Sequence, residues 1–201
     1  MRAVGLSSVC RKKKFSYVKC TPEVIAENVL SRKFSADKTS QKWLTGVTEF
    51  KLTNGMKAYL SAILDLDDRS IVSYVIGKSN NNNLVLETFD KAIELYPNAK
   101  PIFHNDKSFQ YTSKVFKSKL LTQGMIQSMS RVARCIDNAP MEGFWRILKV
   151  EMYYLRKLDT YEQLVKTIED YIYYYNNFRY QKRLNSMSPL EFRKYLSTEI
   201  A

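Results

Sequence analysis

Between residues 43 and 77 the chain offers three β-rich apolar runs, WLTGVTEFKL, KAYLSAILDL and SIVSYVIG, with only short turn segments between them. Asn54-Gly55 is a hairpin signal, and the stretch Asp67 to Arg69 is too short for a crossover, so the runs must pair as consecutive antiparallel strands. The period then changes. After the short polar loop SNNNN, Leu84, Leu86, Phe89, Ile93 and Leu95 form a helical stripe that ends at Pro97. KPIFHND (100–106) is a fourth strand, returned parallel to its neighbour through that helix. TSKVFKSKLLTQG predicts a second helix, capped by Thr112 or Ser113 and stopped by Gly124, and MIQSMS a fifth strand. A helix from near Pro140 through MEGFWRILKVEMYYLRK and another in TYEQLVKTIEDYIYYYNNFR complete the order βββαβαβαα. That order specifies an α/β domain with one mixed sheet flanked by helices.

The 201 residues suffice for one sizeable core, and 45% hydrophobic residues with 6 Gly and 5 Pro argue against disorder. Cys10, Cys20 and Cys135 are an odd set without metal-like pairing, and neither a signal peptide nor an apolar run near 18 residues is present. We therefore expect a cytoplasmic protein with reduced thiols and no membrane partner. The net charge is +12, and its distribution is uneven: ten of the 32 Lys/Arg and three of the 20 Asp/Glu fall in residues 1–42, which thus carry +7. A basic arm over 1–41, including Arg11-Lys12-Lys13-Lys14, ahead of a core over 42–201, suits contact with a polyanion as well as it suits a solvated tail.

Two acids stand where such a sheet places chemistry. Asp106 ends the fourth strand, two residues after His104 on the same face, and strand ends beside a crossover are where α/β sheets bind ligands. Glu142 falls in the first turn of the helix after Pro140, with Arg146 and Lys149 at i+4 and i+7. An acid there also simply complements the helix N-terminus. Hard cations such as Mg²⁺ need carboxylates gathered from separate elements, which these two are.

Thirty-five residues separate Asp106 from Glu142, and 59 separate Gly46 from Asp106. With FHND, QYTS, the run SMSR to DNAPMEGFW and the tail YIYYYNNFRYQKRLNSMSPLEF, this spacing resembles the D-D-35-E transposases of bacterial insertion sequences, relatives of retroviral integrases, over about residues 30–197. The resemblance implies a ribonuclease-H-like fold with a mixed five-stranded sheet, and DNA cleavage and strand transfer dependent on Mg²⁺ or Mn²⁺. It assigns Asp106 and Glu142 as catalytic and metal-binding. Gly46 stands where the first acid belongs, in a frame of Trp43, Thr45 and Thr48 that is otherwise kept, and Ser108 replaces a customary glycine.

The expected partners are DNA, as transposon ends and target, and a second copy or a full-length transposase, in a nucleoid-associated setting. Lys149 and Arg131, with Arg146, are the expected DNA contacts, and His104 is expected to brace the sheet or the acids. The residues before Trp43 resemble only the connector that follows an upstream DNA-recognition module in such proteins, which suggests a truncated, impaired transposase with open space over Gly46. The alternative is a non-catalytic DNA-binding remnant that inhibits or joins an intact transposase. A third reading lets Asp65, on the second strand, replace the missing acid.

Overall fold

The computed structural model describes residues 25–131 and 135–199. The Arg11 to Lys14 cluster, Cys10 and Cys20 lie outside the described residues. Strands β1 (Lys42–Lys51), β2 (Lys57–Asp65) and β3 (Ile71–Gly77) form the expected antiparallel meander. Gly55 takes a φ of +85° in the first turn, a conformation open to glycine at no steric cost, and Leu52 N–H bonds the Met56 carbonyl at 2.8 Å. That turn fixes the register, pairing Gly46 with Ala62 and Trp43 with Asp65.

Helix α1 (Asn82–Leu95) carries the chain to β4 (Ile102–Asn105), which lies parallel to β1, and α2 (Lys114–Thr122) carries it to β5 (Ile126–Met129), parallel to β4. The strand order is β3-β2-β1-β4-β5, a mixed five-stranded sheet as the run order implies. α1 starts inside the SNNNN loop because the Asn81 side chain accepts from Leu84 N–H at 3.0 Å, the usual bond of an asparagine cap. Ser113, rather than Thr112, caps α2, and Gly124 at φ +66° follows its end.

Alternation along the strands divides the core into two layers. Trp43, Ile63 and Phe103 face α1 and α2, while Leu44, Leu60 and Leu64 face the later helices. Those are α3 (Ala139–Leu148) and α4 (Tyr161–Asn177). α3 does not run on to Lys157 as its sequence suggests: a π-helical turn, Lys149–Tyr153, follows it and places the Tyr153 hydroxyl on the Lys51 backbone, accepting from its N–H at 3.1 Å and donating to its carbonyl.

A further helix, α5 (Pro189–Glu199), lies beyond the order read from the sequence. Its apolar stripe is weak and a polar residue pins it. Arg193 bonds the Asp68 carboxylate, the Tyr96 hydroxyl and Ser70 Oγ across the β2–β3 turn. Residues 25–41 are largely exposed but tied to the sheet at particular points: Leu30 is buried, its N–H donates to Ser128 Oγ at 3.0 Å, and Met129 N–H bonds the Glu27 carbonyl beside β5. No helix among the described residues is long and apolar enough to cross a membrane.

Candidate active site

The parallel pairing of β1 with β4 sets Leu44 opposite His104, so continuing that register by two residues brings Gly46 level with Asp106. Asp106 is the first residue beyond β4, and its Oδ1 accepts Ser108 N–H at 2.8 Å, closing an Asx turn. A serine makes this turn without the glycine that the resemblance leads one to expect at 108.

Glu142 lies in the first turn of α3, whose N-terminus favours a carboxylate. It is exposed, yet partial enclosure by its neighbours raises its pKa, the negative charge of Asp106 raises it further, and Lys149 works the other way. Lys149 is half-buried, with its ammonium 5.5 Å from the centre of the Phe50 ring. Desolvation lowers its pKa, while Glu142 and Glu49 hold its charge. Asp106, Glu142 and Lys149 therefore share one electrostatic neighbourhood at the ends of β1 and β4. Arg146 is exposed one turn beyond Glu142.

Arg131 has a local partner that its sequence position does not announce. Its guanidinium binds the buried Asp137 carboxylate at 2.9 and 3.0 Å, and Arg32 closes on the same carboxylate at 2.7 Å. The paired guanidiniums hold Asp137 well below the usual carboxylate pKa. Asp137 thereby ties residues 28–32 to the segment that leads into α3.

His104 is fully buried between two hydroxyls of the β5 region, Ser128 Oγ at 2.9 Å from Nδ1 and Ser130 Oγ at 3.1 Å from Nε2. Burial lowers its pKa to about 4, so it is neutral with both ring nitrogens engaged. Asp65 is likewise committed. Its Oδ2 accepts from Ser40 N–H at 2.7 Å and Trp43 Nε1 at 3.2 Å, its Oδ1 from Asp67 N–H at 2.9 Å, and Arg193 stands 3.5 Å away. It serves the β2–β3 turn, three register positions from Gly46.

The room over Gly46 differs from expectation. A Cβ built there would meet Met141 Cγ at 3.4 Å, Trp145 Nε1 at 3.4 Å and Asn138 Nδ2 at 3.8 Å. The apolar side of α3 packs down onto the bare glycine, so the space is lined by side chains and is not open. Asn138 was not singled out by sequence reasoning. It is buried, its Nδ2 donates to the Thr45 carbonyl at 3.1 Å, and its Oδ1 has no hydrogen-bond partner. The one sequence signal for it was its place in the DNAPMEG segment, four residues before Glu142. Among the described residues no three His, Cys, Asp or Glu side chains gather closely enough to hold a metal ion.

Comparison with known proteins settles the family. Two integrase core domain families match, one over residues 36–135 and the other over 142–195. An uncharacterized transposase-like protein of Haemophilus influenzae is 39% identical over 193 residues, covering 96% of this chain and 89% of its own length. The chain belongs to the insertion-sequence transposases with an integrase core. A putative transposase InsK for insertion sequence element IS150 of Escherichia coli is 34% identical over 194 residues, spanning 96% of this chain and 68% of that protein. The catalytic core domain of HTLV-2 integrase, solved in complex with magnesium, superposes with a TM-score of 0.60 at 15% identity, over 78% of this chain and 98% of its own. Its likeness extends to the fold, a ribonuclease-H-like sheet with flanking helices. The sheet of this transposase, with the helices around it, is thus the integrase core of the family, with Asp106 just past β4 and Glu142 in the first turn of α3.

Proposed function

We propose that this transposase core acts on DNA, as transposon ends and target, through Asp106 and Glu142, and that Gly46 impairs it by leaving the first acid position without a carboxylate. The observation that carries the reading is geometric: the β1–β4 register carries Asp106 to the level of Gly46, and α3, whose first turn bears Glu142, sets Met141 and Trp145 against that same glycine. Their donors are oxygens and His104 is engaged on both nitrogens, so the set suits a hard divalent cation, Mg²⁺ or Mn²⁺, rather than a nitrogen-seeking metal. When bound between such acids, the cation stabilises charge on a phosphodiester under attack by water or a 3′-hydroxyl. Asp106 is oriented by the Ser108 N–H, and Glu142 is kept in place by the packing of α3 on the sheet.

Lys149, beside Glu142, is placed to meet a phosphate through charge, and exposed Arg146 extends the same stripe. Arg131 reaches DNA only in so far as its pair with Asp137 leaves it positive on the outside. A basic arm over 1–41 and a core over 42–201, self-association or pairing with a full-length transposase, and a cytoplasmic, nucleoid-associated setting complete the proposal.

The test is a strand-transfer assay with Mg²⁺ or Mn²⁺ on the wild-type protein and Gly46→Asp. Loss of one needed ligand costs about 4 kcal/mol, so the variant should be roughly a thousandfold faster. Equal, robust activity in both would show that position 46 held no needed ligand.

The packing of Met141 and Trp145 against Gly46 favours a second reading, a DNA-binding remnant that occupies DNA or poisons the assembly of an intact transposase. For that protein Gly46→Asp restores nothing, while DNA binding persists and falls steeply with salt.

A further inference from the structure

Met152 and Leu158 are buried, yet Leu155, midway between them, is 75% exposed, more than any other large apolar side chain among the described residues. Tyr154 beside it and Tyr174 on α4 are exposed as well. Apolar side chains so placed add little to the core of their own chain, and a cluster of them marks an interaction surface. Leu155 lines a groove between α4 and the segment after the π-helical turn, made of two adjoining chambers of about 480 and 550 Å³ that share Arg156, Thr167 and Asp170. One wall is fixed in advance. The Tyr171 hydroxyl donates to the Glu151 carboxylate at 2.8 Å, and the Arg179 guanidinium holds the same carboxylate at 2.6 Å, so little ordering is needed when something enters.

Two features of this surface choose its occupant. Its charge is balanced, with Arg156, Lys157 and Lys166 against Glu151, Asp159 and Asp170, on a chain of net charge +12. A polyanion gains little from such a surface, whereas a second copy, repelled by the net charge elsewhere, can approach here without net repulsion. The other feature is the exposed face of α4. Lys166 and Asp170 stand one turn apart and neither has an ion-pair partner among the described residues, although Glu87 and Lys91 close to 3.3 Å at the same spacing on α1. The base precedes the acid in α4, which is the less favourable order within a helix. The same face turned about a two-fold axis matches both charges, because Lys166 of each copy then meets Asp170 of the other.

We propose that this groove is the contact between two copies of the chain, an isologous surface in which Leu155 of each copy enters the groove of the other, against Met152, Tyr171 and Tyr174, and Lys166 pairs with Asp170 on both sides of the axis. The inference gives a surface to the self-association proposed above and rests on that reading. It lies beyond the far end of α3 from Glu142, about 15 Å along the helix, so pairing leaves the acids of both copies uncovered.

Sedimentation velocity of the whole chain over a range of concentrations tests it. Leu155→Ser should weaken the dimer about tenfold or more, because the loss is counted on both sides of the axis, and should leave the melting temperature of the monomer unchanged. Lys166→Asp and Asp170→Lys should each weaken it by a similar factor, since each sets like charges across the axis. An equimolar mixture of those two variants should dimerise again, because each copy supplies the charge that the other lacks. A change in the stability of either monomer cannot make two non-associating variants associate on mixing. If the wild-type chain dimerises and all three variants do so with the same Kd, self-association stands and the surface is overturned. It is equally overturned if Leu155→Ser weakens DNA binding and leaves the dimer unchanged, which would give the groove to DNA. If the wild-type chain sediments as a monomer at every concentration, the reading of self-association falls as well.

Discussion

Asp106 and Glu142 come from a strand end and a helix start, yet the charge of one raises the pKa of the other. Asp106→Asn removes a like charge and leaves the partial desolvation of Glu142 in place. The Glu142 pKa should therefore fall toward its ordinary value, read as the carboxyl carbon shift in an NMR titration. An unchanged titration of Glu142 would mean that the two carboxyls do not face one cleft.

The only histidine of the chain sets a second prediction. His104 is held at about 4 in the folded protein, below the ordinary 6.5, so the unfolded chain takes up its proton first as the pH falls. Its contribution is complete above pH 6.5 and disappears as the pH drops from there to about 4, amounting to about 3 kcal/mol. Asp65, raised to about 6 by burial and by Asp68, works in the opposite direction between its ordinary carboxylate value and about 6. The difference between wild type and His104→Asn isolates the histidine: urea midpoints should separate the two proteins more at pH 7.5 than at pH 4.5.

Asp137→Asn should loosen residues 28–32 and the approach to α3 together. Its two arginines are partly exposed and can be rehydrated, so the loss should be about 1–3 kcal/mol rather than the larger cost of stranding a buried charge. The wild-type carboxyl is held low, so its stabilisation is present above the unfolded carboxylate pKa and fades as the pH falls below it. Amide exchange near Leu30 and in the first turn of α3 reports the local effect.

Asn176 spans the outer edge of the sheet, accepting Ile71 N–H at 2.9 Å and donating to the Ile71 carbonyl at 3.0 Å, as a neighbouring strand would. Asn176→Ala should cost about 1–2 kcal/mol and bare an unpaired edge. Light scattering should show increased association, which Asn176→Gln reduces only if its longer amide still reaches.

Gly46→Ala places a methyl group at contact distance from Met141 and Trp145 on an extended backbone that any residue can adopt. Melting temperature should move little, within about 1 kcal/mol of stability. A collapse of the fold on this substitution would show that the glycine is needed for packing rather than left behind by loss of an acid.

The sheet was legible because its signals are local. Asn54-Gly55 specified the hairpin, and with it a partner for Gly46 near Ala62 or Ile63, before any tertiary contact was considered; the pair is Gly46 with Ala62. The crossovers followed from apolar runs alternating with helical stripes. The helix α5 was harder, since an arginine anchors it in place of an apolar face, although the capping pair of Ser188 and Glu191 around Pro189 marks its start. Two facts were out of reach. The partner of Arg131 depends on how the chain folds back over Asp137, and the filling of the space over Gly46 depends on how far α3 settles onto a strand that lacks a side chain there. Neither is carried by spacing.

Helix α3 and the turn after it are pegged to β1 twice, by Asn138 on Thr45 and by Tyr153 on Lys51. Because those pegs use the backbone of β1, they hold whatever stands at position 46, and the acid of α3 cannot drift while that position lacks its own. The genetic code adds a second circumstance. Every glycine codon becomes an aspartate or glutamate codon by a single change of its middle base. A gene encoding this chain is thus one middle-base change from placing an acid on β1 at the level of Asp106, in a frame whose alignment does not depend on the residue at 46.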